Sequence, residues 1–298
     1  GAIGIEMAQA LSRLGVEVAA FDSSDALAGI SDPVVAETAR KALSEEFAIH
    51  TGHEVELSST TNNAVRVQAG TVDIEVDRVL VAIGRKPNLG DLGLEALGVT
   101  LDERGMPPFD RSTMQIGDLP VFIAGDASNQ LPLLHEAADQ GRIAGDNAGR
   151  FPDIRAGLRR SSISVVFSDP QIAMVGSTLR ELNQKYSSCG CFEIGEVSFE
   201  DQGRSRVMLR NKGLLHVYGE HGTGRFLGAE MMGPNVEHIA HLLAWAHQQQ
   251  MTVSQMLDMP FYHPVIEEGL RTALRDLNAK LHLGPEMVKR CLDCGPGA

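Results

Sequence analysis

The chain has 298 residues, 43% of them hydrophobic and 22% charged, with a formal net charge of −13. That is enough apolar material for about two globular domains, and the acidic balance argues against nucleic acid or an anionic membrane surface as partner. No apolar run reaches the roughly 18 residues of a bilayer span, no basic-then-apolar leader is recognisable, and four cysteines in this length make no disulfide framework, so the expected setting is a reducing cytoplasm.

The chain opens as Gly1-Ala2-Ile3-Gly4-Ile5-Glu6, with no initiator methionine and already inside a motif; the expectation is a fragment lacking its N-terminal part. Residues 2–14 have helical periodicity closed by Gly15, and 16–21 read as a strand ending at Asp22. Glycine turn, helix, strand and acid make most of a dinucleotide-binding unit, without its first strand and first glycine. An acid at that position accepts hydrogen bonds from a ribose 2′-hydroxyl and repels a 2′-phosphate, which favours NAD over NADP. The plainer reading is a helix packed on a sheet through small residues, with Asp22 as a turn former.

Residues 32–47 read as a second helix. Residues 53–83 read as short strands ending in a buried run, Val79-Leu80-Val81-Ala82-Ile83, before Gly84-Arg85-Lys86-Pro87-Asn88. A hydrophobic strand running into glycine is where an α/β sheet lets a ligand approach the backbone. After a looser stretch, Pro120-Val121-Phe122-Ile123-Ala124-Gly125-Asp126 reads as another buried strand, and 133–148 as a helix whose N-terminus suits polar or anionic groups. A turn aspartate is the ordinary reading of Asp126.

Composition breaks at 155–162, and the pattern beyond is α+β: strands at 163–167, 192–199, 205–210, 213–219 and 225–231, helices at 177–186, 234–250 and 264–280, and an irregular tail from Gly284 with a short turn at 286–290. The strands ending near Tyr218 and beginning near Phe226 flank a Gly-rich turn and read as a hairpin.

The segment Phe261-Tyr262-His263-Pro264-Val265-Ile266-Glu267-Glu268 carries the most specific chemistry. Pro264 is suited to the first position of a helix, which sets His263 at the entrance and Glu268 in the first turns, within reach of a ring nitrogen. A carboxylate on one nitrogen fixes the tautomer and raises the basicity of the other, the usual build of an acid–base histidine. By itself the segment fits a capping histidine with first-turn acids placed for the helix dipole; the rest of the chain shifts the balance.

In their order and spacing, Gly1 to Glu6, the run 81–88, Phe122 to Asp126, and His263-Pro264 with Glu268 resemble the class I pyridine nucleotide–disulfide oxidoreductases, the flavoprotein family of dihydrolipoamide dehydrogenase, glutathione reductase and mercuric reductase. Val166-Phe167-Ser168-Asp169-Pro170 with Val175-Gly176, and Gly228-Ala229 with Gly233-Pro234, add to the resemblance. It implies an α/β fold of partial Rossmann-like FAD- and NAD-binding domains (1–85 for NAD, 86–155 for the C-terminal part of the FAD domain) followed by an α+β dimerisation domain at 156–298.

The resemblance also implies roles. Gly1, Gly4 and Glu6 would lie at the NAD diphosphate and nicotinamide end, Asp22 on the adenosine ribose, Val55 along the adenine, and Gly84 where the cofactor approaches. Asp126 would bind the ribityl or diphosphate region of FAD, and Pro132, Leu133, Leu134 and His135 would cover the flavin edge. His263, oriented by Glu268, would serve the other subunit of a homodimer. The implied reaction is a dithiol–disulfide, flavin, nicotinamide relay with a substrate such as lipoamide, in which the thiolate is the reactive species. His rather than Tyr at 263 argues against the mercuric reductase type. Asp22 followed by Ser23 and Ser24, with no Arg cluster, argues against the NADP-linked type, and dihydrolipoamide dehydrogenase fits best. Val265 departs from the Thr usual after His-Pro, and the redox cysteine pair would lie upstream. A disulfide-free transhydrogenase and a truncated, non-catalytic dimerisation module stay open.

Three features carry no assigned role. Cys291 and Cys294 with Cys189 and Cys191 could make a four-cysteine zinc site, but an idle tail dithiol is the simpler account. His238, His241 and His247 share a helix at metal-compatible spacing, yet read as a polar face or subunit contact. Trp245, Leu242 and Leu243 read as interface or core.

Overall fold

Phe226–Gly233 is buried at every residue, which requires cover on both faces of its sheet. A computed structural model describes residues 1–60, 64–187 and 190–282. Its described residues divide into two units, 1–83 with 161 onward, and 84–160.

In the first unit, α1 (Ala2–Arg13) ends as the periodicity predicts, with Gly15 at φ +91° after it. β1 (Ala19–Asp22) and β2 (Ala48–Thr51) pair in parallel around α2 (Pro33–Leu43). Pro33 is the first helical residue of α2, and the Asp32 side chain caps it by accepting from the N–H groups of Val34 and Val35. β3 (Glu56–Ser59), β4 (Val65–Ala69) and β5 (Val72–Val76) form a small antiparallel sheet.

The larger sheet is antiparallel. It comprises β6 (Ile163–Val166), β7 (Gln171–Gly176), β8 (Phe192–Ser198), β9 (Leu214–Glu220) and β10 (Phe226–Gly233), in the order β6-β7-β10-β9-β8. The period of two along these strands sorts the side chains onto two faces. Val175, Leu215, Val217, Ala229 and Met231 point to α6 (Val236–Gln248) and α8 (Glu268–Lys280), meeting Ile239, Leu243, Leu270 and Leu274. Met232, Ile172 and Val166 point the other way, to Ile5, Val35, Ala39 and Leu43 of α1 and α2. Each buried Val, Leu, Ile or Met side chain among these contributes roughly 1.5–3 kcal/mol. Arg13 ties α1 to this side through Glu46 (2.7 Å) and Asp169 (3.1 Å).

Gly195 of β8 lies directly under α8. A Cβ there would stand 2.4 Å from the Ala273 carbonyl oxygen and 2.5 Å from the Leu277 Cβ, so only glycine allows this approach. Short helices α4 (Leu179–Lys185) and α7 (Val253–Leu257) both start in capping boxes, Thr178 with Glu181 and Thr252 with Gln255.

The second unit is organised by α3 (Leu134–Arg150). Ile143 and Ala144 pack on Met114, and Leu89, Met106, Ile116 and Ile123 make a second cluster. Asn147 donates to the carbonyls of Thr113 (3.0 Å) and Arg155 (2.9 Å) and accepts from the Arg155 N–H. The buried Gln140 oxygen accepts from Gly125 N–H and the Ser128 hydroxyl.

The structure corrects several expectations. The run 79–83 is no buried strand: Val79, Leu80, Val81 and Ile83 are exposed, Ile83 at 92%. Among the described residues no strand pairs with this run, so its backbone groups lack the ladder partners that a buried strand needs. Residues 120–126 likewise contain one isolated bridge, Gln115 with Phe122, followed by a 3₁₀ turn at Gly125–Ser128. The segment expected as a strand at 205–210 includes the end of helix α5 (Gly203–Val207), because the Gln202 side chain caps it by accepting from Ser205 N–H at 2.7 Å. The first strand starts at Ala19 rather than 16, and β7 and α7 had no counterpart in the sequence reading. Pro264 is not a helical residue: α8 begins at Glu268, and His263–Pro264 is a cis peptide in the preceding turn. The tail turn at 286–290 lies outside the described residues.

Candidate functional site

The His263 ring sits beside the first turn of α8. Its Nδ1 lies 2.9 Å from Oε1 and 3.0 Å from Oε2 of Glu268. An ionised carboxylate only accepts hydrogen bonds, so Nδ1 carries the proton and Nε2 is left with its lone pair. Glu268 is itself held: its Oε2 accepts the Val265 N–H at 3.2 Å, and its side chain is 12% exposed against 44% for His263. The departure from Thr at 265 therefore leaves a backbone contact to Glu268 in place. A fixed carboxylate, an oriented ring and an accessible second nitrogen can accept and return a proton at a solvent-facing position.

Elsewhere in the first unit, Gly1 and Asp22 lie together, the Gly1 backbone nitrogen 2.9 Å from Asp22 Oδ2. Asp22 Oδ1 accepts from the backbone and hydroxyl of Ser24. Burial pushes the Asp22 carboxyl up, and the hydrogen bonds from Ser24 pull it down. A Cβ at Gly4 would stand 3.8 Å from the Ala82 Cβ, an ordinary contact. Glu6 Oε1 accepts the Phe167 N–H at 2.8 Å, so this carboxylate also ties α1 to the segment after β6. Val55 is exposed.

In the second unit, Gly84 has φ +105° with open space where a Cβ would be. Asp126, at the 3₁₀ turn, lies 3.5 Å from the Arg85 guanidinium, both half-exposed. Pro132 and Leu133 immediately precede α3, and Leu134 and His135 form its first positions, with Leu134 88% exposed. Pro132 to His135 lie at the α3 N-terminus, which no side chain caps, and Asp126 is an accessible carboxylate; these donor and acceptor types suit a polyol diphosphate.

The structure also locates polar groups that sequence reading missed. Asp32, His216 and Glu230 are buried in one cluster with Tyr218. Of the three histidines of α6, His247 turns inward, its Nδ1 2.7 Å from the Ser161 hydroxyl, while His238 and His241 face solvent. The three therefore do not converge, and among the described residues no group of three or more His, Cys, Asp or Glu could hold a metal ion. Cys191 is disulfide-bonded, which takes it out of the zinc arrangement; Cys189, Cys291 and Cys294 lie outside the described residues. Trp245 is 72% and Leu242 45% exposed, so neither is core. No described helix is long and apolar enough to cross a membrane.

Comparison with known proteins gives the same order of parts. Residues 1–141 match the family model "pyridine nucleotide-disulphide oxidoreductase", and residues 162–274 its dimerisation domain. The chain is 30% identical to a dihydrolipoyl dehydrogenase of Bacillus subtilis over 278 residues, which is 92% of this chain and 59% of that protein. It is 28% identical to one of Chlamydia pneumoniae over 289 residues, or 96% of this chain and 61% of the relative. The chain thus spans about three fifths of the length of these relatives. Among solved structures, LpdA from Mycobacterium tuberculosis superposes with a TM-score of 0.78 at 25% identity, covering 92% of this chain and 59% of that one. The Cu(II) complex of the flavoprotein disulfide reductase RclA from Escherichia coli gives 0.79 at 23% identity, covering 92% and 62%, a likeness of fold. A partial Rossmann-like α/β part followed by an α+β part with an antiparallel sheet, matched in order by both models of one family, makes this chain a member of the pyridine nucleotide–disulfide oxidoreductases.

Proposed function

We propose that the chain is the NAD-binding, partial FAD-binding and dimerisation portion (1–85, 86–155 and 156–298) of a homodimeric dihydrolipoamide dehydrogenase. The single observation that carries this reading is the His263–Glu268 pair, with Nδ1 held at 2.9 Å and Nε2 open. His263 Nε2 takes the proton from a substrate thiol of the dithiol and later returns it; Glu268 fixes the ring and stabilises the imidazolium that forms between. Asp22 accepts from the adenosine ribose of NAD, Val55 lies along the adenine, and Gly1, Gly4 and Glu6 lie at its diphosphate and nicotinamide end; Gly84, without a side chain, allows close approach of a cofactor. Asp126 accepts from the polyol of FAD, and Pro132 to His135 present the α3 N-terminus to it. Bound FAD supplies two-electron transfer between dithiol and nicotinamide. The exposed Trp245 and Leu242 support a covered face in a dimer. The reading requires a Cys-x-x-x-x-Cys pair outside these 298 residues.

The test is to express the whole reading frame containing this chain and assay dihydrolipoamide-dependent NAD reduction. Turnover that is lost in His263→Gln supports the reading. Hydride exchange between nicotinamides with no dithiol dependence would replace it with the transhydrogenase reading.

A further inference from the structure

Glu230, His216 and Glu196 occupy one row across three adjacent strands, Glu230 opposite His216 in the β10–β9 register and His216 opposite Glu196 in the β9–β8 register. The row lies on the α2 side of the sheet. Glu230 is fully buried and accepts four hydrogen bonds, two on each oxygen: Ser31 hydroxyl (2.7 Å) and Leu179 N–H (2.7 Å) on Oε1, Ser31 N–H (2.5 Å) and Asp32 N–H (3.0 Å) on Oε2. Every donor is neutral, and a group that accepts four bonds and donates none is a carboxylate.

Asp32, 1% exposed, is likewise an acceptor throughout. Its Oδ1 caps α2, and its Oδ2 takes the Tyr218 hydroxyl at 3.0 Å and His216 Nδ1 at 2.6 Å. Burial pushes Asp32 up, but His216 and the capping N–H groups hold it below the usual carboxylate range. Burial and the nearby Glu230 and Asp32 carboxylates push the Tyr218 phenol far above its ordinary value, so it stays a neutral donor. Two buried negative charges thus lie close together, and unpaired buried charges are costly.

His216 is a group beside them that can take up a second proton. Its two ring nitrogens both face carboxylates, Nδ1 on Asp32 and Nε2 on Glu196 at 3.2 Å. A neutral imidazole has one N–H, so in that form one nitrogen lone pair would face a carboxylate. The arrangement is complete only with both nitrogens protonated. The titratable groups facing the ring are Asp32 from the α2 entry, Glu230 from β10, Glu196 from β8 and Tyr218 from β9 itself. Asp276 of α8 stands behind Glu196, accepting its N–H at 2.9 Å. Glu196 is 59% exposed, which gives the Nε2 proton a route to water.

We propose that His216 is a proton-dependent latch that fastens the first turn of α2 to the dimerisation sheet. With the proton present, the imidazolium bridges Asp32 to Glu196 and offsets the buried charge of Asp32 and Glu230. When the Nε2 proton leaves to solvent, Glu196 swings out, the Asp32–Glu230 pair loses its counter-charge, and the cap of α2 loosens.

The test uses the full chain. Amide exchange at Val34 and Val35, corrected for the intrinsic pH dependence, is expected to speed up at least tenfold between pH 6 and pH 9 in the wild type. It is expected to be independent of pH in His216→Gln, and the rise is expected at lower pH in Glu196→Gln, a change at an exposed side chain. Ring ¹⁵N shifts of His216 in the unmutated protein need no variant to fold: two protonated nitrogens at pH 6 and one at pH 9 are expected. A ring that stays neutral throughout, or the same pH-dependent exchange with and without His216, overturns the latch.

Discussion

Glu268 meets His263 from the first residue of α8, five positions along the chain, and the turn between them brings both carboxylate oxygens within 3.0 Å of one ring nitrogen. Because the carboxylate is also fixed by the Val265 N–H, the ring orientation is set by backbone as well as side chain. On the proposed function, the two residues should lose activity unequally. His263→Gln removes the proton acceptor and is expected to lower dihydrolipoamide turnover by roughly 10²–10⁴-fold. Glu268→Gln keeps an acceptor for Nδ1 but withdraws the charge, with an expected loss of about tenfold. Steady-state kinetics of the two variants distinguish them; a loss in Glu268→Gln as large as that in His263→Gln would mean that the carboxylate does more than orient and support the ring.

The parts of this molecule legible in sequence are those set by local rules. The α1 periodicity closed by Gly15, the Asp32-Pro33 helix start, the β9–β10 hairpin and the His263–Glu268 spacing each declare themselves within a few residues. What was misread depends on partners distant in the chain. The run 79–83 looks like a buried strand because it is apolar, yet burial needs a hydrogen-bonded neighbour and the described residues supply none. The Asp32–His216 contact spans 184 residues, and the alternation Leu214, His216, Tyr218 resembles a half-polar strand. Only the packing of α2 over that face turns its polar positions inward. The α8 start moved to Glu268 because the rule that favours Pro at the first helical position cannot tell a helix entry from the turn before it.

Gly195 should tolerate no side chain. In Gly195→Ala the new methyl would press on the Ala273 carbonyl and the Leu277 Cβ at 2.4–2.5 Å, forcing α8 away from β8. The expected cost is about 1–3 kcal/mol, read as a lower midpoint in urea unfolding. Since α8 carries Glu268, the same variant should lower turnover without altering cofactor binding. An unchanged unfolding midpoint would show that the helix rides on the sheet less tightly than this contact requires.

Glu230→Gln is nearly isosteric but reverses the hydrogen-bond sense of half the group. An amide NH₂ would face either Ser31 hydroxyl and Leu179 N–H or Ser31 N–H and Asp32 N–H, the pairs that the two oxygens now accept. Leaving those donors unpaired in a buried site is expected to cost about 2–5 kcal/mol. Thermal unfolding at neutral pH measures it. A shift no larger than that of a surface Glu→Gln control would mean that water reaches these donors.

His247 gives the acid side of the stability profile. Burial lowers its basicity and a hydrogen bond to the Leu227 carbonyl only partly restores it, so the folded-state value lies below the ordinary one. The ring is wedged edge-on to Phe226 at 6.1 Å, against Gly176, where a Cβ would come within 2.8 Å of it. One nitrogen donates to the Leu227 carbonyl and the other accepts the Ser161 hydroxyl proton, which is the neutral form. As pH falls below about 6.5, the unfolded chain takes up a proton that the folded chain resists. Stability should therefore be fully present above that pH and decline as pH drops toward the lower folded-state value. This window lies above the one in which the depressed carboxyls of Asp32 and Glu220 are protonated. Denaturant unfolding at pH 7.5, 6.5 and 5.5 should show the decline in the wild type and a shallower one in His247→Gln. Equal slopes in the two proteins would remove His247 as its source.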